Sequence, residues 1–289
     1  MAQDALSTGL TRGQVRHRVD SERWQRVARG AYLIDDRVFT GMDPFGRARL
    51  SHAMRAVAAA GRNTEATVAF RSAAFVLGLP TIADPAESVV LAVPPGRWTG
   101  RRSGIHVRRL SLPEHHTVLM RVPVTTPART WLDIACRSSL ADALAVGDAG
   151  LRMAEFTTAD LAAILAEAGG VPGRRRAERA LSIVSGERES PLESASYSYF
   201  VENRLPLPRM QVPLADDLGF VGRVDFVWDD ARVIGESDGK MKYGQQGEAY
   251  REKLREDRLR ALGFTVVRWG FADLHTPRLA LRLAGLLRP

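Results

Sequence analysis

The stretch Arg223-Val224-Asp225-Phe226-Val227-Trp228-Asp229-Asp230-Ala231-Arg232-Val233-Ile234-Gly235-Glu236-Ser237-Asp238 constrains this chain most. β-branched and aromatic residues flank an acidic turn, which predicts an antiparallel hairpin of Phe220–Trp228 and Ala231–Ser237. Side chains alternate along a strand, so Asp225 points away from the apolar face of Phe226 and Trp228. A turn of even length carries Ile234, Glu236 and Asp238 onto the face of Asp225. A carboxylate between Val224 and Phe226 is costly to bury unless it is paired. Acids gathered on one face repel one another unless something positive lies between them. A salt bridge to Arg223 or Arg232 would meet that need. A divalent cation with oxygen ligands at ~2.1 Å would also meet it, and the neighbouring acids favour the cation.

Around this hairpin, from Ser190 onward, the pattern reads helix, strand, strand, strand, helix, strand, helix. Ser190-Pro191-Leu192-Glu193 opens the first helix, which runs to about Arg204, and Glu193 sits where it completes a capping box or joins the acids. A short strand is expected at Arg209–Leu214, a charged helix at Glu248–Leu262 and a strand at Phe264–Trp269. Thr276-Pro277 starts a last helix. Lys240 and Lys242 follow the second hairpin strand directly. Carboxylates beside a lysine suit Mg²⁺- or Mn²⁺-assisted phosphodiester hydrolysis, in which the metal activates a water and the lysine steadies the phosphate charge. Asp225 and Glu236 are the expected ligands. Asp238 and Glu193 support the metal or its water, and Lys240 or Lys242 is the basic partner. The plain alternatives are a strand that ends in acids, surface lysines, and a solvated helix face from Arg251 to Arg258 with i,i+4 pairs.

The first third of the chain has a different character. Thr11 and Gln14 form a capping box for a short helix over residues 11–19, and Trp24–Ile34 reads as two short strands with a bend at Arg29-Gly30. A basic helix followed by a basic hairpin is the outline of a winged helix-turn-helix, with Arg12, Arg16 and Arg18 toward the groove and Arg26 and Arg29 on the wing. Helices are expected from Pro44 to about Ala60 and from Arg71 to Leu77, then strands at Ser88–Val93, Ile105–Leu110 and Val118–Val124, then helices at residues 127–136, 139–151, 158–168 and 174–185. The turn Pro94–Trp98, with Arg101, Arg102, Arg108 and Arg109 nearby, could touch a nucleic-acid backbone, but a solvated strand face is the favoured reading. His115-His116 lacks a third ligand at a useful spacing. Composition adds weight to an anionic partner. Lys plus Arg is 41 against 33 for Asp plus Glu, a net charge of +8, and most of the positive charge is arginine, which forks onto phosphate.

The element order with Glu193, Asp225 and Glu236 in place resembles the PD-(D/E)xK nuclease superfamily. Within it, "VDFVWDDARVIGESDGKMKYG" and "REKLREDRLRALGFTVVRW" resemble very-short-patch-repair-like endonuclease domains. That superfamily places lysine two residues after the second acid, where this chain has Asp238, so the lysine role passes to Lys240 or Lys242. The stretches "TRGQVRHRVDSERWQRVARGAYLI" and "VTTPARTWLDIA" are similar to AbiEi-type antitoxin and regulator proteins, whose winged helix binds DNA.

The expectation is a mixed α/β chain in three parts. A winged-helix-like region covers 1–80, a mixed α/β then helical connecting region covers 81–186, and a restriction-endonuclease-like αβββαβ domain covers 187–289. The functional expectation is a DNA-binding, Mg²⁺- or Mn²⁺-dependent endonuclease in repair, defence or a toxin–antitoxin setting. The alternative is an AbiEi-like regulator whose nuclease-like domain has lost turnover. DNA is the expected partner, with a second copy of the chain or a protein encoded nearby. Cys136 alone excludes an intrachain disulfide or a cysteine zinc cluster. The start Met1-Ala2-Gln3-Asp4 lacks the features of a secretory signal, and no run approaches the ~20 apolar residues of a membrane span, so the cytoplasm is the expected compartment.

Overall fold

The computed structural model describes residues 10–288 except 22, 29–30, 64, 83, 110–113 and 239–245, and leaves out the side chains of 36 and 246–249. Lys240, Lys242 and Arg29 therefore lie outside the described residues. Among the described residues the chain forms ten α-helices and three sheets, a mixed α/β structure. The chain divides into two units. One comprises Met1–Arg137 with Phe156–Glu178, and the other Ser138–Glu155 with Arg179–Pro289.

In the first unit, α1 (Arg12–Asp20) carries the capping box expected of Thr11 and Gln14. An antiparallel hairpin follows, β1 (Gln25–Ala28) with β2 (Ala31–Leu33). Asp43 caps α2 (Pro44–Ala60) by accepting from the Gly46 amide at 2.6 Å, and proline fills its first turn. A six-stranded sheet is built from β3 (Thr67–Val68), β4 (Val89–Val93), β5 (Gly100–Arg102), β6 (Ile105–Arg109), β7 (His116–Leu119) and β8 (Val122–Thr125). Its order is β5-β6-β4-β3-β8-β7. Ala56, Ala59 and Ala60 of α2 pack on Val68, Leu91, Val93 and Val124 of the sheet. Small residues let the helix backbone approach closely. The helix α3 (Phe70–Val76) begins straight after β3, and Phe70 at its start takes φ 54. His52 of α2 is fully buried between the Pro85 carbonyl (2.9 Å) and the Ser72 hydroxyl (2.8 Å). The Pro85 carbonyl can only accept, so His52 Nδ1–H donates to it, and in the neutral ring Nε2 accepts the Ser72 hydroxyl, whose Oγ in turn accepts the Val90 amide at 2.7 Å. Burial pushes the His52 pKa down and keeps the ring neutral. The helices α4 (Pro127–Arg137) and α6 (Thr158–Glu167) complete this unit.

One expected strand is in fact two. Residues 118–124 fold as the hairpin β7–β8, with Leu119 opposite Val122. Met120 and Arg121 in its two-residue turn take φ 49 and 65. Such turns normally use Asn or Gly there, and neither is present to mark it.

The second unit holds α5 (Leu140–Arg152), α8 (Pro191–Glu202), β9 (Arg209–Asp216), β10 (Gly219–Trp228), β11 (Val233–Ser237), α9 (Gln246–Ala261), β12 (Thr265–Trp269) and α10 (Pro277–Leu286). The short helix α7 (Arg174–Leu181) precedes α8. Asp148 of α5 accepts Arg188 Nε at 2.5 Å and Nη2 at 2.8 Å, the Ser194 hydroxyl at 2.7 Å and the Ser185 amide at 2.9 Å. This buried ion pair fastens α5 to the start of α8. The sheet order is β12-β11-β10-β9, with β9, β10 and β11 antiparallel and β11 parallel to β12. A parallel pair needs a crossover, and α9 supplies it. Phe200, Phe226, Trp228, Trp269, Leu279 and Leu283 form the core on one face. Gly235 lies beneath two of those rings, and a Cβ there would stand 2.3 Å from Trp269. Val227, Ile234, Leu259 and Phe264 pack on the other face, under α9.

Candidate functional site

A polar row crosses the whole four-stranded sheet on its α9 face. The register pairing Phe226 with both Gly235 and Met210 sets Asp225 between Glu236 on β11 and Gln211 on β9, and Glu236 pairs directly with Arg268 on β12. Asp225 and Glu236 thus share a face, as strand parity requires. Asp225 Oδ2 accepts the amide and the hydroxyl of Ser237 at 2.9 and 2.7 Å. The salt bridge weighed for it does not form, since Arg223 pairs with Glu189 and Arg232 stacks on Phe264.

Glu193 joins the row from the first turn of α8. Ser190 caps that helix through the Glu193 amide (3.1 Å), while the Glu193 carboxylate reaches back to the Glu189 amide (2.8 Å). The Gln211 amide donates to Glu193 at 2.8 Å and toward Asp225 at 3.4 Å. Gln211 adopts φ 50, a conformation uncommon away from glycine, to stand between the two acids. Burial raises the Glu193 pKa, and the charge of Asp225 adds to the rise.

Glu236 is differently held. Arg255 of α9 donates to Glu236 Oε1 through Nη1 at 2.8 Å and Nη2 at 2.6 Å. Arg268 lies 3.7 Å from Oε2 and also pairs with Glu252, Glu256 and Asp238. Burial outweighs both guanidinium groups and pushes the Glu236 pKa up to about 7. Asp238 thus faces a guanidinium as well, 3.3 Å from Arg268 Nη1.

The donor set is oxygen-rich, as Mg²⁺ or Mn²⁺ requires, yet it is not gathered for one ion. Among the described residues, Glu193, Asp225 and Glu236 do not bring three ligand atoms within 4.8 Å of one another. Asp225 Oδ2 accepts both Ser237 donors, Glu193 Oε2 the Glu189 and Gln211 nitrogens, and Glu236 Oε1 both Arg255 nitrogens. The site as arranged does not fit the ion. Gln211, Ser237, Arg255 and Arg268 were missed in the sequence. Arg268 alone carried a signal, as a charge between Val267 and Trp269 in a buried strand. The three described side chains that do meet the distance condition are Glu114, His115 and Glu167. Glu167, 52 residues on, comes within 2.9 Å of the His115 ring, a neighbour that local spacing could not reveal.

The arginines expected to bind DNA fall on α1 and its hairpin. Arg12, Arg16 and Arg26 are exposed. Arg18 instead folds over Trp24 at 5.4 Å and donates to the Gln14 carbonyl. A second basic surface lies on the face of the six-stranded sheet opposite α2. There Arg101 stands opposite His106, and Arg108 stands beside Ala92. Arg108 stacks on Phe70 at 4.9 Å. Arg71, Arg101 and Arg137 all press on the charge of Arg108 and help lower its pKa, behind the leading effect of burial. Asp133 of α4, paired with Arg129 at 3.0 Å, is the acid in their midst, and burial pushes its pKa up to about 6.

The strands of that sheet and the helices beside it also carry a sequence match. Residues 66–183 match the AbiEi antitoxin C-terminal domain. The AbiEi match takes in β3 to β8 and the basic face, and it ends before Glu193, so the acidic row lies outside it. Two proteins of Mycobacterium tuberculosis are also similar, Uncharacterized protein MT2308 (strain CDC 1551 / Oshkosh) and Uncharacterized protein Rv2248 (strain ATCC 25618 / H37Rv). Each is 33% identical over 162 residues, covering 55% of this chain and 60% of the relative. The chain thus spans less than two thirds of the length of the curated relatives it matches. No described helix is long and apolar enough to cross a membrane.

Proposed function

We propose that this chain is a DNA-binding regulator of the AbiEi antitoxin type, whose second unit keeps a restriction-endonuclease-like αβββαβ frame without phosphodiester turnover. The observation that carries this reading is the neutralisation of Glu236 by Arg255 and Arg268. The acid that should hold the metal is committed to the protein's own cations. The AbiEi match over 66–183 supports the regulatory role. DNA binding is supported by two arginine-rich surfaces. One is α1 with the β1–β2 hairpin, read as a winged helix, where Arg12, Arg16 and Arg26 contact phosphates. The other is the sheet face of Arg101, Arg108 and Arg137. A regulator of this kind works in the cytoplasm, on DNA and on a toxin partner or a second copy of the chain.

A single experiment separates this reading from its rival. The full chain is mixed with duplex DNA from upstream of its own gene and with random duplex, across a salt series, with Mn²⁺ or with chelator. Salt-dependent binding that prefers the upstream duplex, with no cleavage under either condition, is expected.

Metal-dependent endonuclease activity is the second reading. It is favoured by one observation, the opposition of Asp225 and Glu236 on adjacent strands with Glu193 beside them. In that reading Asp225, Glu236 and Asp238 would hold Mg²⁺ or Mn²⁺, with Glu193 in support and Lys240 or Lys242 on the phosphate. Cleavage by wild-type protein that Asp225→Asn abolishes would establish it and refute the first reading.

A further inference from the structure

We infer that Glu114, His115 and Glu167 form a binding site for a divalent transition metal of the Zn²⁺ type, which ties the start of β7 to the end of α6. Their ligand atoms, one imidazole nitrogen and two carboxylate oxygens, all lie within 4.8 Å of one another. All three residues belong to the first unit, so the site is complete within it.

The backbone brings these side chains together from two directions. Neighbours in a strand point to opposite faces, but Glu114 and His115 precede β7 in a tight turn, where the His116 amide donates to the Glu114 carbonyl at 2.9 Å. Adjacent side chains are thereby able to lie on one side. The His115 carbonyl accepts the Thr126 amide at 3.1 Å, which fastens the turn to the residue ahead of α4. From the other direction, Thr157 and Asp160 start α6 with a capping box, and Glu167 is its last residue. Glu167 Oε1 stands 2.9 Å from His115 Nε2, across 52 residues of chain.

Charge favours a cation at this point. The C-terminal end of a helix carries partial negative charge, so an acid there is unfavourable and a cation favourable. Yet α6 ends on Glu167, with no basic residue in its last turn. Arg174 donates to the Leu165 and Gly169 carbonyls at 2.7 and 2.8 Å and to Glu178 at 2.8 Å, which leaves the Glu167 carboxylate to His115. Glu114 adds a second carboxylate, and a divalent ion between the two acids would relieve their repulsion. Ligand atoms on a tetrahedral ion at ~2.1 Å stand about 3.4 Å apart, so small rotations of two exposed glutamates close the set. His115 Nε2 would then turn its lone pair to the metal, and its proton would pass to Nδ1 or to solvent. An imidazole among the ligands selects Zn²⁺ over Mg²⁺, which prefers oxygen alone. Three protein ligands leave a fourth position for water.

The test is calorimetric titration of the full chain with ZnCl₂, and with MgCl₂ for comparison, on wild type, His115→Ala, Glu167→Gln and Asp225→Asn, each first checked by circular dichroism. Wild type is expected to show saturable Zn²⁺ binding with Kd below about 0.1 mM, and His115→Ala and Glu167→Gln are each expected to weaken it at least about tenfold. Asp225→Asn, which alters the acidic row of the second unit, is expected to bind Zn²⁺ as wild type does. Zn²⁺ should also raise the thermal midpoint of wild type and leave that of His115→Ala unchanged. No saturable heat from wild type, or only binding weaker than about 0.1 mM, would overturn the inference and reduce the cluster to an ion pair of His115 with Glu167. Binding that stays at wild-type strength in either folded variant, or that Asp225→Asn removes, would also overturn it, because the ion would then sit elsewhere. Mg²⁺ binding that His115→Ala removes would refute the choice of metal. If His115→Ala does not fold, Glu167→Gln at its exposed position decides the outcome.

Discussion

Removing two arginines from the sheet face should change how DNA binding responds to salt. The perturbation is Arg101→Ala with Arg108→Ala. Arg101 and Arg108 lie on adjacent strands β5 and β6, on the face away from α2, with Arg137 of α4 and Arg71 of α3 close enough to act on the charge of Arg108. If each substituted side chain meets one phosphate, the slope of log K against log salt should become shallower by about 0.9 per phosphate, so about 1.8 for the pair. Between about 50 and 200 mM salt, two phosphates held in that way account for roughly a twelvefold change in affinity, and the double variant should lack that part of the dependence. Fluorescence anisotropy of a labelled duplex at four salt concentrations measures it. Stability should fall by about 1–2 kcal/mol at most, since the substitutions chiefly remove the stacking of the half-buried Arg108 on Phe70. An unchanged slope and affinity in the double variant would refute the assignment of this face to phosphate. An effect confined to Arg12→Ala/Arg16→Ala would place the DNA on α1 alone.

Three further outcomes are expected. Arg188→Met strands Asp148 as a buried, unpaired carboxylate and should destabilise the second unit by about 3–5 kcal/mol in urea unfolding; a drop below about 1 kcal/mol would contradict the packing of α5 on α8. Glu236 holds its proton more tightly when folded (pKa about 7 against 4.5), so the native state binds more protons across that window, and stability of the second unit should decline as pH rises from about 4.5 to 7. Melts of Glu236→Gln over the same pH range should lack that decline, and an identical pH profile would dismiss it. Ser72→Ala removes the shared partner of His52 Nε2 and the Val90 amide and should cost about 1–3 kcal/mol, read by thermal or urea unfolding, whereas a neutral result would mean that neither atom depends on it.

Helix starts were legible because their chemistry is local. Thr11, Asp43, Ser139, Thr157 and Ser190 each cap a helix by accepting an amide three residues on, and each is visible as a short polar residue ahead of a helical run. The six-stranded sheet was legible only in pieces. Its parallel pairings, β3 with β8 and β4 with β6, join segments separated by other elements, and β3 is two residues long. The division of the chain was obscured for a related reason: Asp148 looks like an ordinary acid on a helix, and its partner Arg188 is 40 residues away.

The acidic row divides along the same line. Parity within one hairpin was enough to place Asp225 and Glu236 on one face, directly opposite or diagonal, and the register of Phe226 with Gly235 makes them opposite. Parity also says that buried acids need a cation, but it does not say which one. That choice is made by the crossover helix. On α9, Arg260 pairs with Glu256 one turn earlier and stays largely exposed, as expected for a solvated charged face. Arg255, in the same helix and of the same composition, turns to the sheet and is held by Glu236. In a sequence so rich in arginine the two look alike, and only the packing of Leu259 and Phe264 against Val227 and Ile234 sets which side of α9 meets the acids. Which arginine meets the acids is therefore set by the side that α9 turns to the sheet, and no local spacing in the sequence records it.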